Sequence, residues 1–202
     1  MLGYVTGAVR ASLVTFALCG FAYPFAVTAV GQLLMPNRAN GSLEQSADGR
    51  TIGSRLIGQQ WNDPQWFHGR PSATVDLSDS TKAAPYNAAN TTASNLGPTS
   101  KALQDRLTAD RAALDQAQPE LVGKPLPADV LTTSASGLDP DVTPANALLQ
   151  IARVAKARGV SPEQVAALVA QHTTSRSLWI FGEPRVNVLE LNLALERAFP
   201  KK

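Results

Sequence analysis

Residues 11–34 read ASLVTFALCGFAYPFAVTAVGQLL, and no charged side chain occurs between Arg10 and Arg38. At 1.5 Å per residue, this apolar run is about long enough to cross a hydrocarbon layer roughly 30 Å thick. The two arginines flank it, as basic residues often flank a membrane-spanning helix. We therefore predict a transmembrane helix inside an N-terminal anchor formed by residues 1–37.

Two residues near the middle of the run bear on how this helix would pack. A proline frees a backbone carbonyl that a neighbouring helix or water must satisfy, so Pro24 predicts a kink and favours a helical partner in the membrane. Gly20, which follows Cys19, would let a neighbouring helix approach closely. Gly20 and Pro24 are therefore predicted to be helix-packing residues.

A cleaved signal peptide is the alternative interpretation of the N-terminus. Val27-Thr28-Ala29 has the small-residue spacing that a signal peptidase accepts. The apolar run continues beyond this site to Met35, however, whereas the apolar region of a signal normally covers only about 7 to 15 residues. This favours an uncleaved anchor. The direction of insertion stays open, because basic residues are nearly balanced on the two sides of the run.

The rest of the chain divides into a small, polar linker, residues 38–50, and one soluble domain, residues 51–202, which is an ordinary length for a single domain. Lys and Arg total 18 in the whole chain, against 16 Asp and Glu. Such a balanced charge argues against nucleic acid as a partner, because phosphate binding needs clustered positive charge. The single cysteine, Cys19, lies in the apolar run, so an intrachain disulfide is excluded.

Periodic apolar residues and capping residues predict helices in the second half of the domain. One helix is expected within residues 99–116, and the others begin shortly after residues 143, 161 and 187. The expected N-caps are Thr99, Thr143, Ser161 and Asn187. Gly159 is expected to end the helix that follows Thr143, because glycine favours the left-handed conformation found there.

Strands are harder to assign from this sequence. Residues 129–132 (DVLT) and 177–181 (SLWIF) are the best candidates, because they combine β-branched and aromatic residues. Residues 51–59 fit a strand or a short helix equally well. Residues 71–95 contain few large hydrophobic residues and predict a long loop. The predicted fold class is therefore mixed α/β: one transmembrane helix followed by one soluble domain.

The sequence lacks the usual signatures of catalysis. Gly53 and Gly58 have the spacing of a phosphate-binding loop, but Gln59 and Gln60 occupy the positions where lysine and a hydroxyl residue are required. The two imidazoles, His68 and His172, are far apart in sequence, and neither a zinc site nor a Cys-His nucleophile is predicted. We therefore predict no catalytic residue and no metal ligand.

Several polar loops combine turn residues with side chains that can bond backbone groups. They serve either to shape the loops or to form a surface that meets a protein partner. Among them, Arg70, Asp139 and Arg185 are the charges expected to be paired inside the loops. The candidate partner or nucleotide contacts are Gln59, Arg70, Asn95, Asp139, Arg185 and Asn187.

Taken together, the ordered segments resemble the C subunit of the bacterial potassium-transporting Kdp P-type ATPase. Those that carry the resemblance are Gly53–Gln59 (GSRLIGQ), Phe67–Ala73 (FHGRPSA), Tyr86-Asn87, Ser94–Pro98 (SNLGP), Ser136–Pro140 (SGLDP), Arg153–Arg158 (RVAKAR) and Gly182–Asn192 (GEPRVNVLELN). Two positions depart from the usual family pattern. Thr92-Ala93 stand where a glycine pair is usual, and Asp141 stands where histidine or asparagine is common.

The resemblance implies a location and a function. It implies a single-pass protein of the inner membrane with a cytoplasmic N-terminus and an extracytoplasmic α/β domain, in contact with membrane lipid. The expected partners are a channel-like potassium subunit, a P-type subunit that hydrolyses ATP and a small single-span subunit. The chain itself would be non-catalytic, with no tightly bound cofactor; ATP would enter through the hydrolysing subunit.

The family is described as a catalytic chaperone that promotes ATP binding by the hydrolysing subunit. An external domain fits that description poorly, because ATP is cytoplasmic. The alternative implied here is a membrane-anchored binding or assembly module with no nucleotide role.

Overall fold

The computed structural model describes residues 1–46 and 48–200 in two compact units, Met1–Ile52 and Gly53–Lys202. Ala47, which falls in the predicted linker, and the last two residues of the predicted domain lie outside the described residues. Mixed helices and small sheets follow an apolar N-terminal helix, so the predicted fold class is confirmed.

The first unit contains the long apolar helix, Leu2–Leu34, whose length and composition suit a membrane span. It consists of α1 (Leu2–Ala17), a π-helical turn (Leu18–Ala22) and α2 (Tyr23–Leu34). The helix begins earlier than the charge-free run predicts. It fits a single-pass membrane protein. A short helix α3 (Pro36–Ala39) and strand β1 (Leu43–Gln45) follow, so the segment predicted as a linker contains regular structure.

The π turn lies where Pro24 interrupts the hydrogen-bond pattern of the helix. Proline has no N–H to donate, and its ring crowds the carbonyl one turn earlier. The backbone N–H of Tyr23 instead donates to the carbonyl of Leu18, five residues back, which widens the helix by one residue. Such π turns are often found at functional sites.

In the second unit, helices α5, α6 and α7 pack around a three-stranded sheet. Strand β5 is central in this antiparallel sheet, with β3 on one side and β4 on the other. The elements beyond β1 are β2 (Thr51–Ser54), α4 (Lys101–Ala117), 3₁₀ turns at Pro119–Leu121 and Ala128–Val130, β3 (Asp141–Val142), α5 (Pro144–Arg158), α6 (Pro162–Gln171), β4 (Thr173–Thr174), β5 (Arg185–Asn187) and α7 (Val188–Ala198). β2 pairs with β1.

The core is aliphatic, with one phenylalanine. Its fully buried side chains include Phe67, Val154, Val165, Val186, Leu191 and Leu195. Each contributes about 1.5–3 kcal/mol by leaving water.

Three of the four predicted N-caps are confirmed. The side chain of Thr143 accepts a hydrogen bond from the Asn146 N–H, and Asn187 accepts one from Glu190. Ser161 and Gln164 form a reciprocal capping box. Gly159 ends α5 with a φ of 68°, as expected. The Thr99 cap is wrong, because α4 starts after Ser100, whose side chain makes no capping bond.

Both strand predictions were wrong. Asp129 lies in a 3₁₀ turn, where its carboxylate accepts bonds from the Thr143 backbone and hydroxyl and from Asn146, so it anchors the start of α5. Residues 177–181 form an exposed turn. Residues 51–59 include strand β2, and residues 71–95 form the expected loop, tied by one bridge between Val75 and Ala83.

Candidate functional site

Four of the six candidate residues meet in two neighbouring clusters: Arg70 of the long loop pairs with Asp139, which precedes β3, and Arg185 and Asn187 of β5 contact Asp141 of β3. Nη1 of Arg70 lies 2.9 Å from a carboxylate oxygen of Asp139, and Nη2 donates to the carbonyl of Thr133 at 3.2 Å. Nε of Arg185 lies 3.1 Å from the carboxylate of Asp141. Arg70, Asp139 and Arg185 are therefore all paired, as expected. The acidic partner of Arg185 is Asp141, which was not among the candidates.

Asn187 connects this cluster to α7. Its Nδ2 donates to Asp141 at 3.1 Å and to the Arg55 carbonyl at 2.9 Å, while its Oδ1 caps α7. Arg70, Asp139 and Arg185 also line a cavity of about 270 Å³. Burial raises the pKa of Asp141, an effect opposed by the hydrogen bond from Asn187 and the charge of Arg185.

Gln59 and Asn95 are not part of this arrangement. Gln59 is half-buried, and the end of its side chain lies against Gly53, where a Cβ would require it to move. Asn95 is exposed, with a φ of 50°. No hydrogen bond within the described residues connects its side chain to Arg70, Asp139 or Arg185. Partner contact by the candidate residues stays a prediction.

Ser72 and Tyr86 organise the long loop around Arg70. Oγ of Ser72 donates to the Gly137 carbonyl at 2.7 Å and accepts from the Tyr86 N–H at 3.0 Å. The Tyr86 hydroxyl donates to the Arg70 carbonyl at 2.6 Å. Burial raises the pKa of Tyr86 to about 12, so its hydroxyl stays protonated. The loop is irregular but internally bonded. Both residues lie in segments that carry the family resemblance, but neither was among the candidate contacts predicted from sequence.

A second network holds residues 63–68 against helices α5 and α7. The amide of Asn192 bonds both backbone groups of Phe67, at 2.8 and 2.9 Å, and Gln150 bonds both backbone groups of His68, at 2.8 and 3.0 Å. Side-chain amides thus substitute for a neighbouring β-strand. The sequence gives no sign of these contacts, which join residues 82 and 125 positions apart.

Two arginines of the RVAKAR segment bind the same loop. Nη1 of Arg153 donates to the carbonyls of Pro64 and Trp66, and Nε of Arg158 donates to that of Gln65. The Arg158 guanidinium also lies 4.2 Å from the centre of a Trp66 ring and pairs with Glu196. Burial lowers the pKa of Arg153 to about 10, so it stays charged at neutral pH.

His68 lies beside Arg153 at the edge of a cavity of about 370 Å³. Its Nε2 is 3.1 Å from the Asp63 carbonyl and 3.4 Å from Nη1 of Arg153. A neutral ring can donate to the carbonyl or accept from the arginine. A protonated ring would place a second positive charge beside the Arg153 guanidinium, and the two charges would repel each other. Burial, with a contribution from that charge, lowers the pKa of His68.

Both networks bond side chains to the backbone of the loops. Within residues 1–46 and 48–200, no group of three or more histidine, cysteine or acidic side chains could hold a metal ion. Two backbone N–H groups of the glycine-spaced segment bond within the domain: Ile57 donates to Ser54, and Gly58 donates to Leu138. The fold and site thus fit a single-pass membrane protein whose second unit presents polar loops tied by hydrogen bonds and ion pairs.

Comparison with known proteins gives the family. The family model KdpC, described as the c chain of the K⁺-transporting ATPase, matches residues 5–197. A potassium-transporting ATPase KdpC subunit of Bradyrhizobium diazoefficiens is 53% identical over 205 residues, covering 100% of both chains. The corresponding protein of Rhodopseudomonas palustris strain TIE-1 is 51% identical with the same coverage, and that of Koribacter versatilis is 50% identical over 94% of this chain and 92% of its own.

This chain belongs to the KdpC family, the c chains of potassium-transporting ATPases. The family resemblance inferred from its motifs is confirmed, as is the expectation of an accessory subunit rather than an enzyme.

Proposed function

We propose that this chain stabilises an ATP-driven, high-affinity potassium uptake complex from the outer face of the inner membrane. The family match over residues 5–197, together with the apolar helix, carries the proposal. The helix inserts with its N-terminus in the cytoplasm and contacts lipid. The partners are a channel-like subunit, a P-type subunit that hydrolyses ATP and a small single-span subunit.

The geometry of the soluble domain supports action by contact. Its polar side chains hold loops in fixed shapes, as the Arg70–Asp139 pair and the Ser72 hydroxyl do. A rigid loop loses little conformational entropy when it docks, which favours binding. The domain therefore works as a preformed surface in the assembled transporter.

Promotion of ATP binding by the hydrolysing subunit is the second candidate function. The cavity beside His68 supports it, because Trp61 and Tyr86 offer aromatic surface and Arg153 offers positive charge. The glycine-spaced segment offers no support, since the N–H groups of Ile57 and Gly58 bond within the domain and Gln59 and Gln60 replace the lysine and hydroxyl residue of a phosphate-binding loop. An ATP titration of the assembled complex, with and without this chain, measures the effect. An unchanged affinity would leave only the stabilising role.

Recovery of the tagged full-length chain from native membranes tests the main proposal. It should bring a large polytopic protein and a P-type ATPase in fixed ratio. Replacing Gly20 with leucine should weaken recovery if this face of the helix packs on a partner, since small residues favour close helix packing in lipid. Gly7→Leu, at a position with open space around it, is the control. Recovery of the unmodified chain alone would refute the proposed function.

A further inference from the structure

The turn at residues 177–181 exposes four consecutive large apolar side chains. The exposed fractions are 72% for Leu178, 89% for Trp179, 72% for Ile180 and 63% for Phe181. The turn lies between β4 and β5, whose own residues pack in the three-stranded sheet. A contiguous apolar surface of this kind on a soluble domain marks an interaction site.

The backbone of this turn is one that its residues disfavour. Leu178 and Trp179 both have positive φ, at 51° and 61°, and the Ile180 N–H donates to the Ser177 carbonyl. A β-turn whose two central residues are both left-handed normally contains Asn-Gly, because bulky side chains are strained there. Strained residues of this kind cluster at functional sites.

The turn is nevertheless fixed from both sides. The N–H groups of Ser177 and Phe181 donate to each other's carbonyl oxygens, at 2.8 and 2.9 Å. At the base, Arg176 donates to both carboxylate oxygens of Glu183, at 2.6 and 2.7 Å. The apolar side chains are thus held on a preformed support.

The chemistry of the turn favours a protein pocket over a lipid surface. Segments that bind bilayers usually carry an excess of Lys or Arg beside their apolar residues. Here Arg176 is matched by Glu183, and nearby Arg185 is matched by Asp141, so the surroundings are neutral. A preformed backbone also benefits docking into a shaped pocket, where a central tryptophan often dominates binding.

We infer that residues 178–181 insert into an apolar, uncharged pocket on another subunit of the same transporter. The inference rests on the proposed function, because it requires that the chain work in an assembly. It adds this turn to the polar loops as a contact of the soluble domain.

The double variant Leu178→Asn/Trp179→Gly separates binding from folding. It places the favoured turn residues at the left-handed positions and removes two of the four exposed apolar side chains, among them the most exposed, Trp179. Recovery of partner subunits by the tagged full-length chain should fall at least about tenfold, while the unfolding temperature stays equal or rises. Leu77→Asn, at a leucine that is 71% exposed on the long loop, is the matched control and should recover partners normally.

Photocrosslinking tests the same inference without the double variant. A photoreactive phenylalanine analogue in place of Trp179, in the full chain in native membranes, should yield an adduct with a partner subunit. Adducts with lipid alone, or full recovery of partners by the double variant, would overturn this inference and leave the proposed function intact. Failure of the unmodified chain to recover any partner would instead refute the proposed function itself.

Discussion

The side-chain amide of Asn192 pairs with both backbone groups of Phe67, although the two residues are 125 positions apart. Both are fully buried, so neither backbone group of Phe67 has access to water. The bond fixes the loop that carries Phe67 into the core. Its removal therefore leaves a donor and an acceptor unsatisfied in the interior.

Asn192→Leu should destabilise the soluble domain by about 2–4 kcal/mol, because each unsatisfied buried group costs about 1–3 kcal/mol. Chemical unfolding of the full chain in detergent, followed by tryptophan fluorescence, measures the change. Asn62→Leu is the control, since Asn62 is exposed. A loss below about 0.5 kcal/mol in Asn192→Leu would contradict the bonding described here.

Gly58→Ala should also destabilise the domain, by about 2–4 kcal/mol. A Cβ at Gly58 would lie 2.5 Å from the Asp139 carbonyl oxygen and 2.6 Å from the Tyr86 ring, and a backbone carbonyl has little freedom to move. Gly97→Ala is the matched control, because a Cβ there meets open space. Equal unfolding midpoints for the two variants would show that the loops yield more easily than their bonding suggests.

The Arg70–Asp139 pair should show a coupling energy of about 1–2 kcal/mol in a double-mutant cycle with Arg70→Gln and Asp139→Asn. Both side chains are more than two-thirds buried, so solvent screens the pair less than it screens a surface pair. The same cycle on Lys101 and Asp105, an exposed pair on α4, should give a smaller value. The reverse order would contradict a stabilising role for Arg70.

The stability of the domain should fall as the pH decreases from about 6.5 toward 5. The pKa of His68 is lowered in the folded state by burial and Arg153, so the unfolded chain takes up the proton first. Unfolding free energies measured across this range test the effect. His68→Gln should flatten the dependence, whereas His172→Gln, which leaves His68 in place, should retain it.

The anchor should remain attached to the mature protein. Mass spectrometry of membrane-extracted chain should give the uncleaved mass, and cleavage after Ala29 would give a shorter one. External protease added to spheroplasts should digest the soluble domain, because we expect the N-terminus in the cytoplasm. A domain protected from the protease would reverse the proposed orientation.

The features that can be predicted well from the sequence are those whose interacting residues lie close together along the chain. A cap such as Thr143 or Asn187 bonds an N–H only three residues away, so the two partners can be seen together in the sequence. The turn at 177–181 shows the limit of this approach. Its composition favours a strand, but no neighbouring element buries it, and burial is decided by the rest of the fold.

The same limit applies to the candidate site. The expectation that Arg70 and Asp139 are paired follows from charged residues in turn-rich loops. Asn192, Gln150 and Ser72 lack such a signal, because a buried amide or hydroxyl looks like any helical or loop residue until its distant backbone partner is known. Asp141, the departure from the usual family residue, has the Arg185 guanidinium as its partner.

Residues 63–68 are held largely by their main chain. Their carbonyl oxygens accept hydrogen bonds from Arg153, Arg158, Gln150 and Asn192, and the N–H groups of Phe67 and His68 donate to the side-chain amide oxygens of Asn192 and Gln150. A main-chain contact does not depend on which side chain the residue carries. Exposed positions of the loop, such as Pro64, can therefore change identity over evolution at little cost. The loss or gain of a single residue would displace every contact in turn, so a change in the length of this loop should cost the domain much more stability than a change at one of its exposed positions.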